Sequence, residues 1–269
     1  MMEWIAAYLV LGAAAGFLGG MFGIGGGTVL VPVLLMLFEA QHFPSEHTMH
    51  LALGSAMAVI LFTSIASTHK HDQHGAVSWR VVFGISPGIL FGTVIGSLVA
   101  ASIPPLFLTI FFALFMCFAA MQILLDIRPH AARQLPGIMG MTFVGTVTGC
   151  ISTLVSVGGG TLTVPFLLWC NVPIRKAIGT ASAIGFPIAV GGSIGYIVTG
   201  LHAANLPPSS LGYVYLPAML GCALVSVITA PLGAKTAHRT NVAVLRKLFA
   251  VLLLGLAAKL LLKALGSEE

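Results

Sequence analysis

Charge is what this chain has least of. Asp, Glu, Lys and Arg make up 7% of its 269 residues, hydrophobic residues make up 58%, and the mean hydropathy is +1.04. Soluble domains carry about 25% charged residues, so this composition cannot cover a water-facing surface, and lipid is the solvent it fits. Cysteine is also scarce. Cys117, Cys150, Cys170 and Cys222 all fall in or beside apolar stretches and none has CxxC spacing, which excludes a cysteine zinc site or dithiol motif and leaves them as small apolar residues. There is no Walker loop, no HExxH helix, no paired carboxylates and no nucleophile–base arrangement, so neither an enzyme nor a cofactor is expected. No positive block precedes the first apolar run at Met1-Met2-Glu3-Trp4, which favours a membrane helix over a cleaved signal. The net charge of +5 is not gathered into a basic block, which argues against nucleic acid as a partner.

What is present is a series of apolar runs. Long ones occupy 4–22, 48–68, 81–101, 105–125, 137–157, 177–200, 212–233 and 242–264, and shorter ones occupy 28–38 and 161–170. At 1.5 Å per residue each short run covers roughly 15–17 Å, about half the hydrocarbon core. The short runs follow glycine triplets, and those triplets expose a duplication. Gly25-Gly26-Gly27-Thr28-Val29-Leu30-Val31-Pro32 matches Gly158-Gly159-Gly160-Thr161-Leu162-Thr163-Val164-Pro165. Downstream, Ala52-x-Gly54-Ser55-Ala56 corresponds to Ala177-x-Gly179-Thr180-Ala181. Two copies, 1–130 and 131–269, account for the pattern.

Loop charges orient the copies. Lys70, Arg80, Arg128, Arg133, Arg175, Lys176, Lys235 and Arg239 mark loops expected on the cytoplasmic side, whereas 38–47, 102–105 and 202–212 lack Lys and Arg. The stretch from Pro136 to Cys170 then starts and finishes on one side, as a hairpin. Each copy becomes a hairpin plus three helices, an odd number, so the second copy is inverted and both termini lie outside. Lys259 and Lys263 oppose this reading and are partly offset by Glu268 and Glu269. The expected fold is an all-α polytopic membrane protein of two inverted repeats, each of about five helical segments, broken at glycine-rich turns. Such repeats point to secondary transporters that bind their substrate near the midplane.

Two halves, each with a Gly-Gly-Gly-Thr-x-x-Val-Pro hairpin followed by an Ala-x-Gly-Ser/Thr-Ala helix, resemble the TauE/SafE sulfite exporter family, also called the toluene-sulfonate uptake permeases. Gly75-Ala76-Val77-Ser78-Trp79-Arg80 is similar to that family's lead into its next helix. The resemblance implies a bacterial-type inner-membrane permease for sulfite, sulfoacetate, toluenesulfonate or other small sulfur-containing anions.

The residues suggest how an anion would be held. Gly25, Gly26 and Gly27, and likewise Gly158, Gly159 and Gly160, allow a tight reversal with positive φ. The helices resuming at Thr28 and Thr161 then offer free amides and positive dipole ends. Thr28, Ser55, Thr161, Thr163, Thr180 and Ser182 can add hydroxyl donors, although the small residues serve equally to let helices pack closely. Pro32 and Pro165, one turn into the short helices, are hinge or kink positions. A small anionic substrate, a coupling ion (proton or sodium) and the lipid bilayer are the expected partners. The rival reading is a divalent-metal permease using His69, His71 and His74, which also fit a solvated basic turn. His47 and His50 fit either an interfacial position or the lining of a vestibule, and Asp126 fits either a structural role near Arg128 or proton coupling.

Overall fold

The computed structural model describes residues 2–125, 134–239 and 243–266, so Asp126, Arg128, Arg133, Glu268 and Glu269 lie outside the described residues. The described chain is helical almost throughout, and, although the run expected from 212 is helical only from Leu216, each expected apolar run contains a helix. In order these are α1 (Met2–Phe22), α2 (Gly27–Ala40), α3 (Ser45–Asp72), α4 (Trp79–Ser102), α5 (Pro105–Leu124), α6 (Ile138–Leu154), α7 (Gly160–Trp169), α8 (Ile174–Gly200), α9 (Leu216–Arg239) and α10 (Ala243–Gly266). Seven are long and apolar enough to cross a membrane; α2, α6 and α7 are shorter.

α3 and α8 form the centre. Their most apolar 18-residue windows are 78% and 61% buried, against 33% for the corresponding windows of α9 and α10. The outer helices turn Phe83, Phe91, Phe107, Leu114, Phe143, Leu224 and Leu262 outward, an apolar surface suited to lipid and not to water.

Packing between the halves is reciprocal, and small residues make it so. α1 lies along α9 and α6 along α4. A Cβ on Gly12 would stand 2.3 Å from the Cys222 carbonyl oxygen, and one on Gly145 would stand 2.3 Å from that of Ile85. Four residues on, Gly16 faces Ser226 as Gly149 faces Ile89. These are close backbone approaches of the kind small residues permit between membrane helices. α2 packs on α3 and α7 on α8, while α5 pairs with α10.

Each short helix folds back beside its predecessor. Gln41, after α2, donates from Nε2 to the Tyr8 hydroxyl in α1 at 2.7 Å, so the first hairpin opens at the end where α3 begins. Gln134 and Leu135, before α6, share a cavity wall with Cys170, Asn171 and Lys176, so the second hairpin also returns to the level it left. That cavity includes Ser78, just after the far end of α3. The two hairpins therefore open at opposite ends of α3, whose 28 residues span roughly 42 Å.

One element is new relative to the sequence reading. In the stretch before α9, β1 (Ser210–Leu211) pairs antiparallel with β2 (Val214–Tyr215). Gly212, at φ +54°, begins the two-residue turn that a hairpin this tight requires.

Candidate functional site

The two hairpin tips meet inside the protein. Gly158 N–H donates to the Ile24 carbonyl at 2.9 Å, and residues 19–32 and 155–161 are buried without a break. A Cβ on Gly27 would stand 1.8 Å from the Ser156 carbonyl oxygen, and one on Gly160 would stand 2.7 Å from that of Gly23. All six triplet glycines, Gly25, Gly26, Gly27, Gly158, Gly159 and Gly160, therefore lie at one junction.

The tips reverse by different means, which corrects the expectation of positive φ in both triplets. In the first, Gly23, Gly25 and Gly26 have φ of +71°, +72° and +80°. In the second the positive φ falls on Ser156, at 42°, while Gly159 is right-handed at −55°. Ser156 tolerates this because its hydroxyl donates to the Leu53 carbonyl at 2.8 Å, tying the strained residue to α3. Gly158 and Gly160 are there for close approach to the first tip, and Gly159 for close approach to Ala181 of α8.

Both short helices thus begin at the junction and direct amides toward it. On α2, Val29 and Leu30 are the first amides paired in the turn, both to the Gly26 carbonyl at 3.0 Å. Thr28 is 1% exposed and its Oγ1 has no partner. On α7, Thr163 N–H pairs with the Gly159 carbonyl at 2.8 Å, and the Thr163 hydroxyl donates to the same oxygen. Thr161, two residues earlier, is also buried. Pro32 and Pro165 lie inside their helices, where they withhold the amides that the Thr28 and Thr161 carbonyls would accept.

The hydroxyls named from sequence divide into two groups. Ser182 reaches the neighbourhood of the junction, donating to Ser67 of α3 at 2.8 Å. Ser55 and Thr180 instead dock loops. The Tyr215 amide donates to Ser55 Oγ at 2.9 Å, and the Ser78 amide donates to Thr180 Oγ1 at the same distance. Beside them, Gly54 accommodates the Tyr213 carbonyl and Gly179 that of Ala76. Removing either hydroxyl strands a half-buried loop amide, at about 1–3 kcal/mol. Ser55→Ala and Thr180→Ala are each expected to lower the thermal unfolding midpoint, with Thr180→Ser restoring it.

Sequence reasoning missed a difference between the tips that the octapeptide hides. In the alignment set by Gly54 and Gly179, Ile60 of α3 corresponds to Gly185 of α8. The Ile60 side chain fills the first tip, within 2.9 Å of a Cβ built on Gly25. At Gly185 a Cβ would meet only Ser64 Cβ at 3.4 Å and the Gly159 nitrogen at 3.9 Å. The start of α7 therefore has space beside it where the start of α2 has a plug, and Ser64, Ser67 and Ser182 line that side of the α3–α8 seam.

The histidine-rich turn does not converge. His71 is buried with Nε2 at 3.1 Å from the Gly20 carbonyl, His69 faces Gln73, and His74 Nδ1 donates to the Lys70 carbonyl. Among the described residues no three His, Cys, Asp or Glu side chains group as metal ligands would. Lys176 lines a 440 Å³ cavity with Ser78, Gln134 and Asn171 at the mouth of the second hairpin.

The chain is 34% identical to a probable membrane transporter protein of Haemophilus influenzae, covering 98% of this chain and 100% of that one. It is 25% identical to another of Methanocaldococcus jannaschii, covering 84% of each, and 26% identical to YunE of Bacillus subtilis, covering 75% of this chain and 83% of that one. No solved structure matches. The family model described as Sulfite exporter TauE/SafE matches residues 8–260. With ten described helices around two buried glycine turns and that match across nearly its whole length, the chain is a membrane transporter belonging to the TauE/SafE family.

Proposed function

We propose that this transporter carries small sulfur-containing anions, such as sulfite, sulfoacetate or other organosulfonates, by alternating access. The observation that carries the reading is the junction itself. Two helix starts, with their amides and positive dipole ends, meet in the protein interior beside a buried threonine hydroxyl that has no partner. Such a site compensates an anion without a buried lysine, which would be expensive at that depth. The sulfur class is supported by the description of the family, and a sulfonate or sulfite fits because it presents several acceptor oxygens to converging donors. The halves 1–130 and 131–269 act as oppositely oriented copies, a reading supported by their reciprocal packing and by hairpins that open at opposite ends of α3. The protein sits in a bacterial-type inner membrane with both termini outside, and a proton or sodium gradient drives it.

Binding of sulfite, sulfoacetate, taurine and nickel to the purified protein tests this directly: saturable binding of sulfur anions without nickel binding supports it, and the reverse sinks it. Thr28→Val sharpens the test. The substitution removes an unpartnered buried hydroxyl, so the unfolding midpoint should hold or rise. Anion affinity should fall about tenfold or more, the worth of a hydrogen bond to a charged group. Unchanged affinity would remove Thr28 from the site.

A further inference from the structure

We propose that His50 is the proton-binding group of the transport cycle, an inference that rests on the anion-carrier reading above. His50 is 4% exposed, yet it stands less than two turns from the start of α3. Its Nε2 lies 2.9 Å from the Ala100 carbonyl, which fixes the hydrogen on that nitrogen and leaves Nδ1 with a lone pair. Nδ1 is buried without a partner. Above the ring lies Tyr213 of the short β-hairpin, centroids 5.0 Å apart and planes 29° from parallel.

The surroundings are sparse in charge. On α3 itself are Glu46 and His47, 3.5 Å from one another. The hairpin brings Tyr213, whose phenol is pushed up first by burial and then by Glu46, so the ring stays neutral. α8 brings Tyr196, whose hydroxyl is spent on the Thr153 carbonyl at 2.9 Å. The end of α4 and the linker to α5, residues 94–109, contain no titratable side chain.

A hydronium ion can pass its proton to the Nδ1 lone pair: one O–H bond breaks, one N–H bond forms, water leaves and an imidazolium remains. Nε2–H keeps Ala100, but the new Nδ1–H has no acceptor, and a buried unpartnered charged donor is costly. The face of Tyr213 offsets part of that cost. An anion oxygen supplies what is still missing, an acceptor and a counter-charge. Proton and anion then strengthen one another's binding reciprocally. The corresponding position of the second half, two residues before the matching alanine, is Arg175, which is exposed and always charged. One mouth of the carrier thus has a fixed positive charge, and the other has one that pH switches on.

Uptake into vesicles reconstituted with the full chain tests this. Methanesulfonate is the first probe because it stays ionised between about pH 5.5 and 7.5, the range in which histidine titrates. Wild-type uptake should rise about tenfold as the pH on the His50 side falls across that range, with an internal dye reporting proton entry. His50→Gln, which keeps a donor for Ala100, should flatten the profile, while His74→Gln, at an exposed position beyond the other end of α3, should leave it as in the wild type. A wild-type slope in His50→Gln, or proton entry that no anion in the set (methanesulfonate, sulfite, nitrate) elicits, overturns the proposal. Nitrate-coupled proton entry that depends on His50, without movement of either sulfur anion, would instead retain His50 and discard the sulfur substrate.

Discussion

Gly27→Ala is expected to leave little folded transporter in the membrane, and what folds should unfold about 10 °C or more below the wild type. The reason is geometric. The added methyl would sit 1.8 Å from the Ser156 carbonyl oxygen and 3.0 Å from Ile60 Cδ1. The Ser156 oxygen cannot retreat freely, because its residue is held at φ 42° with its hydroxyl bonded to Leu53. Moving the α2 start away would part the tips and break the Gly158–Ile24 bond. Overpacking a well-filled core costs about 1–3 kcal/mol when side chains can yield, and more when backbone stands on both sides. Gly255→Ala is the control: nothing lies within 4 Å of its Cβ position on α10, so its midpoint should not fall. Similar behaviour of the two variants in a thermal unfolding series would mean that the tips are not in contact.

Much of this fold was legible because the bilayer dictates lengths. Each apolar run had to be a helix, since lipid offers the backbone no other partner, and the two runs after glycine triplets were too short to cross. The hairpins followed from loop charges alone, and the contact of Gln134 and Leu135 with the Cys170–Lys176 stretch agrees with that reasoning. The duplicated octapeptide located the junction. What the sequence hid depends on residues far apart in the chain. Ser156 stands where the first copy has Gly23, itself at φ +71°, but a serine carries no local signature of positive φ; its conformation is held by Leu53, 103 residues away. Ser55 and Thr180 looked like site hydroxyls, and their use as docks for Tyr215 and Ser78 arises only when loops 160 and 102 residues distant arrive. Ile60 and Gly185 became comparable only once α3 and α8 were seen to embrace the same junction.

That difference between Ile60 and Gly185 yields the second large effect. Gly185→Ala should fold and insert like the wild type, yet bind sulfite or methanesulfonate about 10–200-fold more weakly. A methyl there meets Ser64 Cβ at 3.4 Å and the Gly159 nitrogen at 3.9 Å, ordinary contacts that demand no movement of either neighbour. It nonetheless occupies the space beside the start of α7, where, on the proposed anion-carrier reading, an oxyanion would meet the Gly159 amide and the serines of the α3–α8 seam. In the first tip the room beside Gly25 and Gly27 is already taken by Ile60, so truncating that side chain should be destabilising through the cavity it leaves, about 2–5 kcal/mol for Ile60→Ala, without the selective loss of affinity. The pair separates a binding role from a packing role: thermal unfolding reads one and equilibrium anion binding reads the other. If Gly185→Ala binds anion as the wild type does, the α7 start is not where the substrate rests. If instead Gly185→Ala lowers the unfolding midpoint as far as Ile60→Ala, the space beside Gly185 is part of the packing and not a place for a ligand.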